Sequence, residues 1–131
     1  MKFSRRDIVI YIAGPYRADT WGKVKQNVAA AMDVAAELLH AGYTVICPHS
    51  MTHEFEMYGL PDEVFLDSDL RLIGRCDAIL MLPNWRASTG SIAEHHQAQD
   101  NGMRIFEWAP NVGRQSLYMD IDAAFLGADP S

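Results

Sequence analysis

The clearest chemical potential in this sequence lies at Ser88, Gly90 and Glu94, where a polar loop gives way to a helical pattern. Free backbone N–H groups at a helix start, a serine hydroxyl and a glycine that permits close approach together suit one phosphate group. Glu94, about one turn into the helix, would project toward the same cleft. The structural alternative is that Ser88 or Ser91 is only an N-cap and Glu94 only a favourable first-turn acid.

Three further charged residues are candidates for this cleft. Asp67 and Asp69 lie two residues apart on a predicted helix, so their side chains point in different directions and only one can face the cleft. Arg17 directly follows the Gly14-Pro15 pair, from where it either binds phosphate or lies on the surface.

The histidines raise the question of a metal site. His49 and His53 are spaced for one helix face, yet they follow a strand and have no third ligand at a recognisable metal spacing. A zinc site here would need His95 and His96 as further ligands. We expect no metal, and no residue pattern implies an organic cofactor.

Alternating short apolar runs and helical patterns predict the elements that position these residues. The buried, β-rich runs predict strands over residues 8–13, 43–47, 77–82 and 104–108. Apolar residues at steps of three and four, with glycine stops, predict helices over residues 24–40, 63–73 and 92–100, and a terminal helix over 117–126.

One segment has no clean period. Residues 49–61 contain two histidines, two glutamates, Gly59 and Pro61, and we interpret them as a long functional loop or lid. Asp62 would then be the N-cap of the following helix.

The alternation of strands and helices predicts an α/β fold, with one parallel sheet covered by helices on both faces through right-handed crossovers. This is the three-layer arrangement of flavodoxin-like and Rossmann-like proteins, and residues 1–131 form one predicted domain. Ligands in such sheets bind beyond the carboxyl ends of the strands. Segments 14–17, 48–53 and 84–94 are therefore expected to meet.

Composition excludes several function classes. The formal charge of -6 disfavours nucleic acid polymers, which are bound by clustered Lys and Arg. No stretch approaches the ~20 apolar residues of a membrane helix, and no signal-type core follows the basic N-terminus, so we expect a cytoplasmic protein. Cys47 and Cys76 are expected to be buried free thiols.

Three pieces of the sequence resemble a known superfamily. They are Tyr11-Ile-Ala-Gly14-Pro-Tyr-Arg17, the run DLRLIGRCD over residues 69–77, and Ser88-x-Gly90-x-x-x-Glu94. In this order they resemble the nucleoside 2-deoxyribosyltransferase superfamily, in particular the 2'-deoxynucleoside 5'-monophosphate N-glycosidases and a set of uncharacterised bacterial and phage relatives. The resemblance extends as far as Trp108.

The resemblance implies a role for each matching residue. Glu94 would be the nucleophile that forms a covalent deoxyribosyl intermediate, since a carboxylate both stabilises and captures an oxocarbenium-like carbon. Asp69 would handle the proton on the leaving base or orient the nucleophile. Tyr11 is grouped with these two catalytic residues and would line the sugar pocket.

Position 88 separates the branches of the superfamily. Transferases acting on free nucleosides carry an acid there, whereas the monophosphate hydrolases resemble this chain in carrying serine. Ser88, Gly90 and Arg17 would therefore bind a 5'-phosphate, and Gly14 and His49 complete the expected substrate-binding set.

The resulting hypothesis is an N-glycosidase acting on a (deoxy)nucleoside 5'-monophosphate. Two alternatives remain: a deoxyribosyltransferase that exchanges bases, and a non-catalytic nucleotide-binding or sensing module. The His95-His96 pair, where relatives have small or apolar residues, favours the last. Superfamily sites are often completed by a neighbouring subunit, so a homodimer or larger homo-oligomer is expected, with the segment from Asn111 onward as the contributed piece.

Overall fold

The computed structural model describes residues 2–127, in which a parallel sheet is covered by helices on both faces. The strands of this part are β1 (Val9–Ala13), β2 (Thr44–Ile46), β3 (Ala78–Met81) and β4 (Arg104–Glu107). Its helices are α1 (Trp21–His40), α2 (Pro48–Phe55), α3 (Asp62–Ile73), α4 (Thr89–Asp100) and α5 (Arg114–Phe125). Short 3-10 turns occur at Arg5–Asp7, Glu56–Tyr58 and Trp85–Ala87.

The sheet has the order β2-β1-β3-β4, and each neighbouring pair is parallel. The predicted α/β class and three-layer parallel architecture are therefore confirmed. From β1 the chain adds β2 on one side of the sheet and then crosses over to add β3 and β4 on the other side, so the order of strands reverses between β1 and β3. A crevice opens at such a switch point, beyond the carboxyl ends of the two strands.

Alternation along β1 and β3 divides the core into two layers. Ile10 and Ile12 on β1 face α1 and α5, together with Leu80 of β3. Tyr11 lies on the opposite face, in a cluster with Ile79 and with residues of α3 and α4. This register decides that the Tyr11 side chain points toward α4 rather than toward α1.

The expectation of a loop over residues 49–61 is wrong for most of that segment. Pro48–Phe55 is helix α2, and the turn Glu56–Tyr58 follows it directly. Proline is favourable at the first helical position because its missing N–H has no intrahelical partner there. Met51 and Phe55 are exposed, so the helix lacks the apolar stripe that would have revealed it.

The start of α3 also differs from the expectation. Pro61 occupies the N-cap position, and Asp62 is the first helical residue, where its charge still favours the helix N-terminus. The α4 helix begins at Thr89, ahead of the predicted start at 92, because Ser88 supplies its cap.

Helix α5, which belongs to the segment from Asn111 onward, packs on the chain's own sheet. Ile121 is fully buried in the core layer with α1. Arg5 forms a 2.8 Å ion pair with Asp122, and the Tyr43 hydroxyl donates to the same carboxylate at 2.7 Å. The helix is thereby held on its own chain by burial and by a charged network. The last four residues of that segment lie outside the described part.

No helix within residues 2–127 is long and apolar enough to cross a bilayer. Cys47 and Cys76 are free and only partly buried, whereas full burial was expected.

Candidate active site

A cavity of about 540 Å³ opens at the switch point of the sheet. Its walls come from the loop after β1, from α2, from one face of α3 and from the start of α4. The predicted residues that line it are Gly14, Arg17, His49, Asp69, Ser88, Gly90 and Glu94. Segments distant in sequence thus meet here, in the position that the parallel topology favours for a ligand.

Glu94 lies in the second turn of α4 and reaches the cavity with only 8% of its surface exposed. The hydroxyl of Tyr11 donates a hydrogen bond to Glu94 Oε2. Tyr11 itself is fully buried on β1 and lies behind Glu94, not on the cavity wall where the sequence analysis expected it. Its contribution to the site is to hold one oxygen of this carboxyl group.

Burial changes the acidity of both carboxyl groups in the cavity. The pKa of Glu94 rises to about 8, chiefly because burial penalises its charged form; the Tyr11 hydrogen bond lowers this pKa, and the charge of Asp69 raises it. Burial likewise raises the pKa of Asp69 to about 6. Two acids that titrate on either side of neutral pH therefore share one cavity, which is a common property of catalytic carboxyl pairs.

Asp69 and Asp67 take the different directions that their spacing requires. Asp69 lines the cavity from α3, whereas Asp67 is exposed and pairs with Arg71 one helical turn later at 3.2 Å. Only one of the two acids therefore faces the cleft, as their spacing predicts.

The N-terminus of α4 forms one end of the cavity. Ser88 Oγ accepts hydrogen bonds from the backbone N–H and the hydroxyl of Ser91, at 3.2 and 3.0 Å, so the serine is an N-cap. It also lines the cavity, and as an acceptor in both contacts it keeps its own hydroxyl hydrogen for another partner. The N–H groups of Thr89 and Gly90 precede the first hydrogen bond within the helix, from Ile92 to Ser88.

The two cavity glycines serve different purposes. A Cβ atom on Gly14 would lie 2.6 Å from the Cβ of Leu82, so glycine is required where β1 and β3 end side by side. A Cβ atom on Gly90 would meet nothing within 4 Å and would project into open space. Gly14 therefore serves packing, and Gly90 leaves room beside the helix N-terminus.

Arg17 is held by carboxylates at the mouth of the cavity. Its Nη1 lies 2.8 Å from Glu56 Oε1, and its Nη2 lies 2.6 Å from Asp62 Oδ1. The hydroxyl of Tyr16 donates to the same Glu56 oxygen at 2.7 Å. The loop after β1 is thereby tied to the turn after α2 and to the first residue of α3.

His49 is buried in the cavity wall at the start of α2. Its Nε2 lies 3.1 Å from the carbonyl oxygen of Gly14 and 3.0 Å from that of Pro15, so this nitrogen carries the proton and donates. Burial lowers the pKa of His49, which keeps the ring neutral. Its direct role is to fix the loop that follows β1.

The other three histidines considered for a metal site, His53, His95 and His96, do not line the cavity. His95 stacks on Trp85 with the ring centroids 4.4 Å apart, His53 stacks on Trp21, and His96 is exposed. Within residues 2–127, no group of three His, Cys, Asp or Glu side chains is arranged to hold a metal ion.

Sequence reasoning missed several polar residues of this region, among them Tyr16, Thr52, Glu56 and Asp62. Thr52 is buried in the wall, one helical turn from His49, and it was overlooked because α2 was interpreted as a loop. The available signal was Pro48 at the first helical position, with no further Gly, Pro, Asn or Asp before Gly59. The pairing of Glu56 and Asp62 with Arg17 depends on the tertiary fold, and no local pattern indicates it.

A comparison with curated proteins finds no match. A family of protein domains does match, over residues 8–107, and this range runs from the strand that carries Tyr11 to the end of β4. The match includes every cavity residue discussed above. The chain therefore belongs to the family described as Domain of unknown function (DUF4406).

Proposed function

We propose that the protein hydrolyses the N-glycosidic bond of a deoxyribonucleoside 5'-monophosphate, with Glu94 as nucleophile and Asp69 as acid and base. The observation that carries this proposal is the buried Glu94 carboxyl group, held by the Tyr11 hydroxyl in a cavity that Asp69 also lines. The resemblance of the surrounding motifs to deoxyribosyl-transferring enzymes supports the same reaction.

In the first step, a carboxylate oxygen of Glu94 bonds to the anomeric carbon while the bond to the base breaks. The base leaves with the bonding electron pair and takes a proton from Asp69, whose pKa of about 6 suits proton transfer near neutral pH. In the empty cavity at neutral pH, a pKa of about 8 leaves the proton on Glu94 and a pKa of about 6 leaves Asp69 ionised, so substrate binding must first move this proton from Glu94 to Asp69. Only the ionised form of Glu94 can attack. Positive charge developing on the sugar favours that form, and so does the hydrogen bond from Tyr11.

In the second step, water replaces the sugar's bond to Glu94. Asp69, now ionised, takes a proton from the water molecule as its oxygen bonds to the anomeric carbon, and Glu94 leaves as a carboxylate. The products are the free base and deoxyribose 5-phosphate, and the protein returns to its starting state.

The start of α4 supports a phosphate group on the substrate. The free N–H groups of Thr89 and Gly90 and the hydroxyl of Ser88 are hydrogen-bond donors beside open space. A helix N-terminus also carries partial positive charge, which favours an anion. We propose the cytoplasm as the compartment, in keeping with the free thiols of Cys47 and Cys76.

The test is the release of free base from a panel of deoxynucleosides and their 5'-monophosphates, followed by chromatography. We expect Glu94→Ala to abolish release, by about a thousandfold or more, while nucleotide binding stays within about tenfold, because the carboxylate acts mainly in the transition state. Glu54→Gln on the exposed face of α2 is the matched control and should keep full activity.

Hydrolysis by the Glu94 variant at the parent rate would disprove the nucleophile assignment. A free base added to the assay separates hydrolysis from exchange, since a transferase would convert it into a new nucleoside or nucleotide. Tight nucleotide binding without release of base by the parent would instead indicate a binding module.

A further inference from the structure

We propose that Asp62 competes with the substrate's phosphate for Arg17, so that this ion pair limits the preference of the cavity for nucleotides over nucleosides. The inference rests on the proposed function, which supplies the phosphate. It makes Asp62 a determinant of specificity although it need not touch the sugar or the base.

Arg17 has little charge to offer in the structure as it stands. Its two terminal nitrogens contact Glu56 at 2.8 Å and Asp62 at 2.6 Å, so two carboxylates balance one guanidinium. A phosphate that approached the same two terminal nitrogens would compete with these carboxylates.

The charge of the cavity makes this replacement important. Among residues 2–127, the acids that line its wall are Asp62, Glu63, Asp69 and Glu94, and the single Lys or Arg that lines it is Arg17. A nucleotide dianion therefore meets an acidic cavity as long as Arg17 remains neutralised, whereas an uncharged nucleoside is little affected.

Asp62 is the more easily replaced of the two carboxylates. Its side chain is 66% exposed, whereas that of Glu56 is 23% exposed and also accepts a hydrogen bond from Tyr16. An exposed ion pair stabilises a protein only weakly, and phosphate forms stronger charge-assisted contacts with arginine. The phosphate would therefore take the place of Asp62 while Glu56 stays bound and keeps the loop in position.

The test is calorimetric binding to Asp62→Asn, made in the Glu94→Ala background so that no ligand is consumed. The ligands are a deoxynucleoside 5'-monophosphate, the matching deoxynucleoside and inorganic phosphate. Freeing Arg17 should tighten the monophosphate and inorganic phosphate by about fivefold, the equivalent of a lost exposed ion pair. The nucleoside should change by less than about twofold.

Two further variants separate this competition for Arg17 from the effect of simply removing a negative charge. Glu63→Gln removes one charge from the same wall without touching the Arg17 pairs, and it should tighten the monophosphate by less than about twofold. In an Arg17→Gln background, Asp62→Asn should give no gain. The proposal is overturned if Asp62→Asn leaves the monophosphate unchanged, if Glu63→Gln matches its gain, or if the gain survives without Arg17.

The outcome can be read independently of catalysis. Fivefold tighter phosphate binding by Asp62→Asn, without base release by protein that retains Glu94, would support the competition between Asp62 and phosphate and reject the hydrolase. Base release without tighter phosphate binding by Asp62→Asn would support the hydrolase and reject the competition between Asp62 and phosphate. Circular dichroism checks that each variant is folded. If folded protein binds none of the three ligands, the competition between Asp62 and phosphate is overturned.

Discussion

At the scale of single residues, the environment of a side chain decides its chemistry more than its type does. Glu94 and Glu54 are both helical glutamates, yet one is buried beside a tyrosine hydroxyl and the other faces solvent. The sequence identified Glu94 through its spacing from Ser88 and Gly90. Its contact with Tyr11 was not predictable, because it depends on which face of β1 turns toward α4.

The two neighbours of Glu94 act on its acidity in opposite directions. Removing the Tyr11 hydroxyl by Tyr11→Phe should raise the Glu94 pKa above about 8, because the carboxylate loses a donor. Removing a nearby negative charge by Asp69→Asn should lower the same pKa. The measurement is the side-chain carboxyl carbon shift of Glu94 followed by NMR through the titration.

Tyr16→Phe is the matched control for this titration. It removes a hydroxyl that is bonded to Glu56 instead, so it should leave the Glu94 titration unchanged. Equal shifts in both phenylalanine variants, or shifts of the same sign in Tyr11→Phe and Asp69→Asn, would contradict the assigned contacts.

Ser88 shows that the structural and functional interpretations of one residue need not exclude each other. It caps α4 through Ser91, as the simpler interpretation required, and it also lines the cavity. A cap uses the lone pairs of the oxygen, and ligand binding would use its hydrogen. Sequence pattern alone could not separate these two uses.

At the scale of elements, the sequence was most informative where burial was complete. The runs that became β1 and β3 are buried over nearly their whole length, so their hydrophobicity is continuous and easily recognised. Helix α2 has exposed Met51 and Phe55 and buried His49 and Thr52, the reverse of the usual pattern. Periodicity rules therefore missed the helix that builds one wall of the cavity.

The close packing of β1 against β3 makes a prediction about the two cavity glycines. Gly14→Ala should destabilise the protein by about 1 to 3 kcal/mol, because its Cβ would meet the Cβ of Leu82 at 2.6 Å and the strand ends would have to move apart. Gly90→Ala should leave stability within about 1 kcal/mol, since nothing lies within 4 Å and alanine is favourable in a helix. Urea unfolding measures both.

Ligand binding should reverse the order of the two glycine variants. The added methyl group of Gly90→Ala projects into open space beside the helix N-terminus, so it should weaken nucleotide binding in a protein of normal stability. A Gly14→Ala variant as stable as the parent would show that β1 and β3 do not approach each other this closely.

At the scale of the whole molecule, topology brings the site together. Parallel strands joined by helices place every strand-to-helix loop at one edge, and the order β2-β1-β3-β4 puts the crevice between β1 and β3. That gathering of segments 14–17, 48–53 and 84–94 was predictable from alternation alone. The ion pairs of Arg17 with Glu56 and Asp62 were not predictable. They join three segments, and no sequence pattern specifies how far each segment lies above the sheet.

The buried carboxyl group makes the stability of the whole molecule depend on pH. The folded protein keeps the Glu94 proton up to about pH 8, whereas the unfolded chain releases it near its ordinary pKa of 4.5. Between these values the native state binds more protons, so the free energy of unfolding falls as pH rises, by roughly 1.4 kcal/mol for each pH unit at most. The contribution of the retained Glu94 proton to the free energy of unfolding is complete below pH 4.5 and is lost as the pH passes through about 8.

Measurement above pH 6.5 isolates this effect, because the partly buried Asp69 and the buried His49 titrate lower. Asp69, with a pKa of about 6, adds to the same downward trend only at lower pH. His49 acts with the opposite sign, since its lowered pKa costs stability only below its ordinary value of 6.5. We expect urea unfolding between pH 6.5 and 8 to show a falling stability in the parent and in Glu54→Gln, and a much flatter profile in Glu94→Gln. An equally steep fall in Glu94→Gln would mean that the carboxyl group is not buried in this cavity.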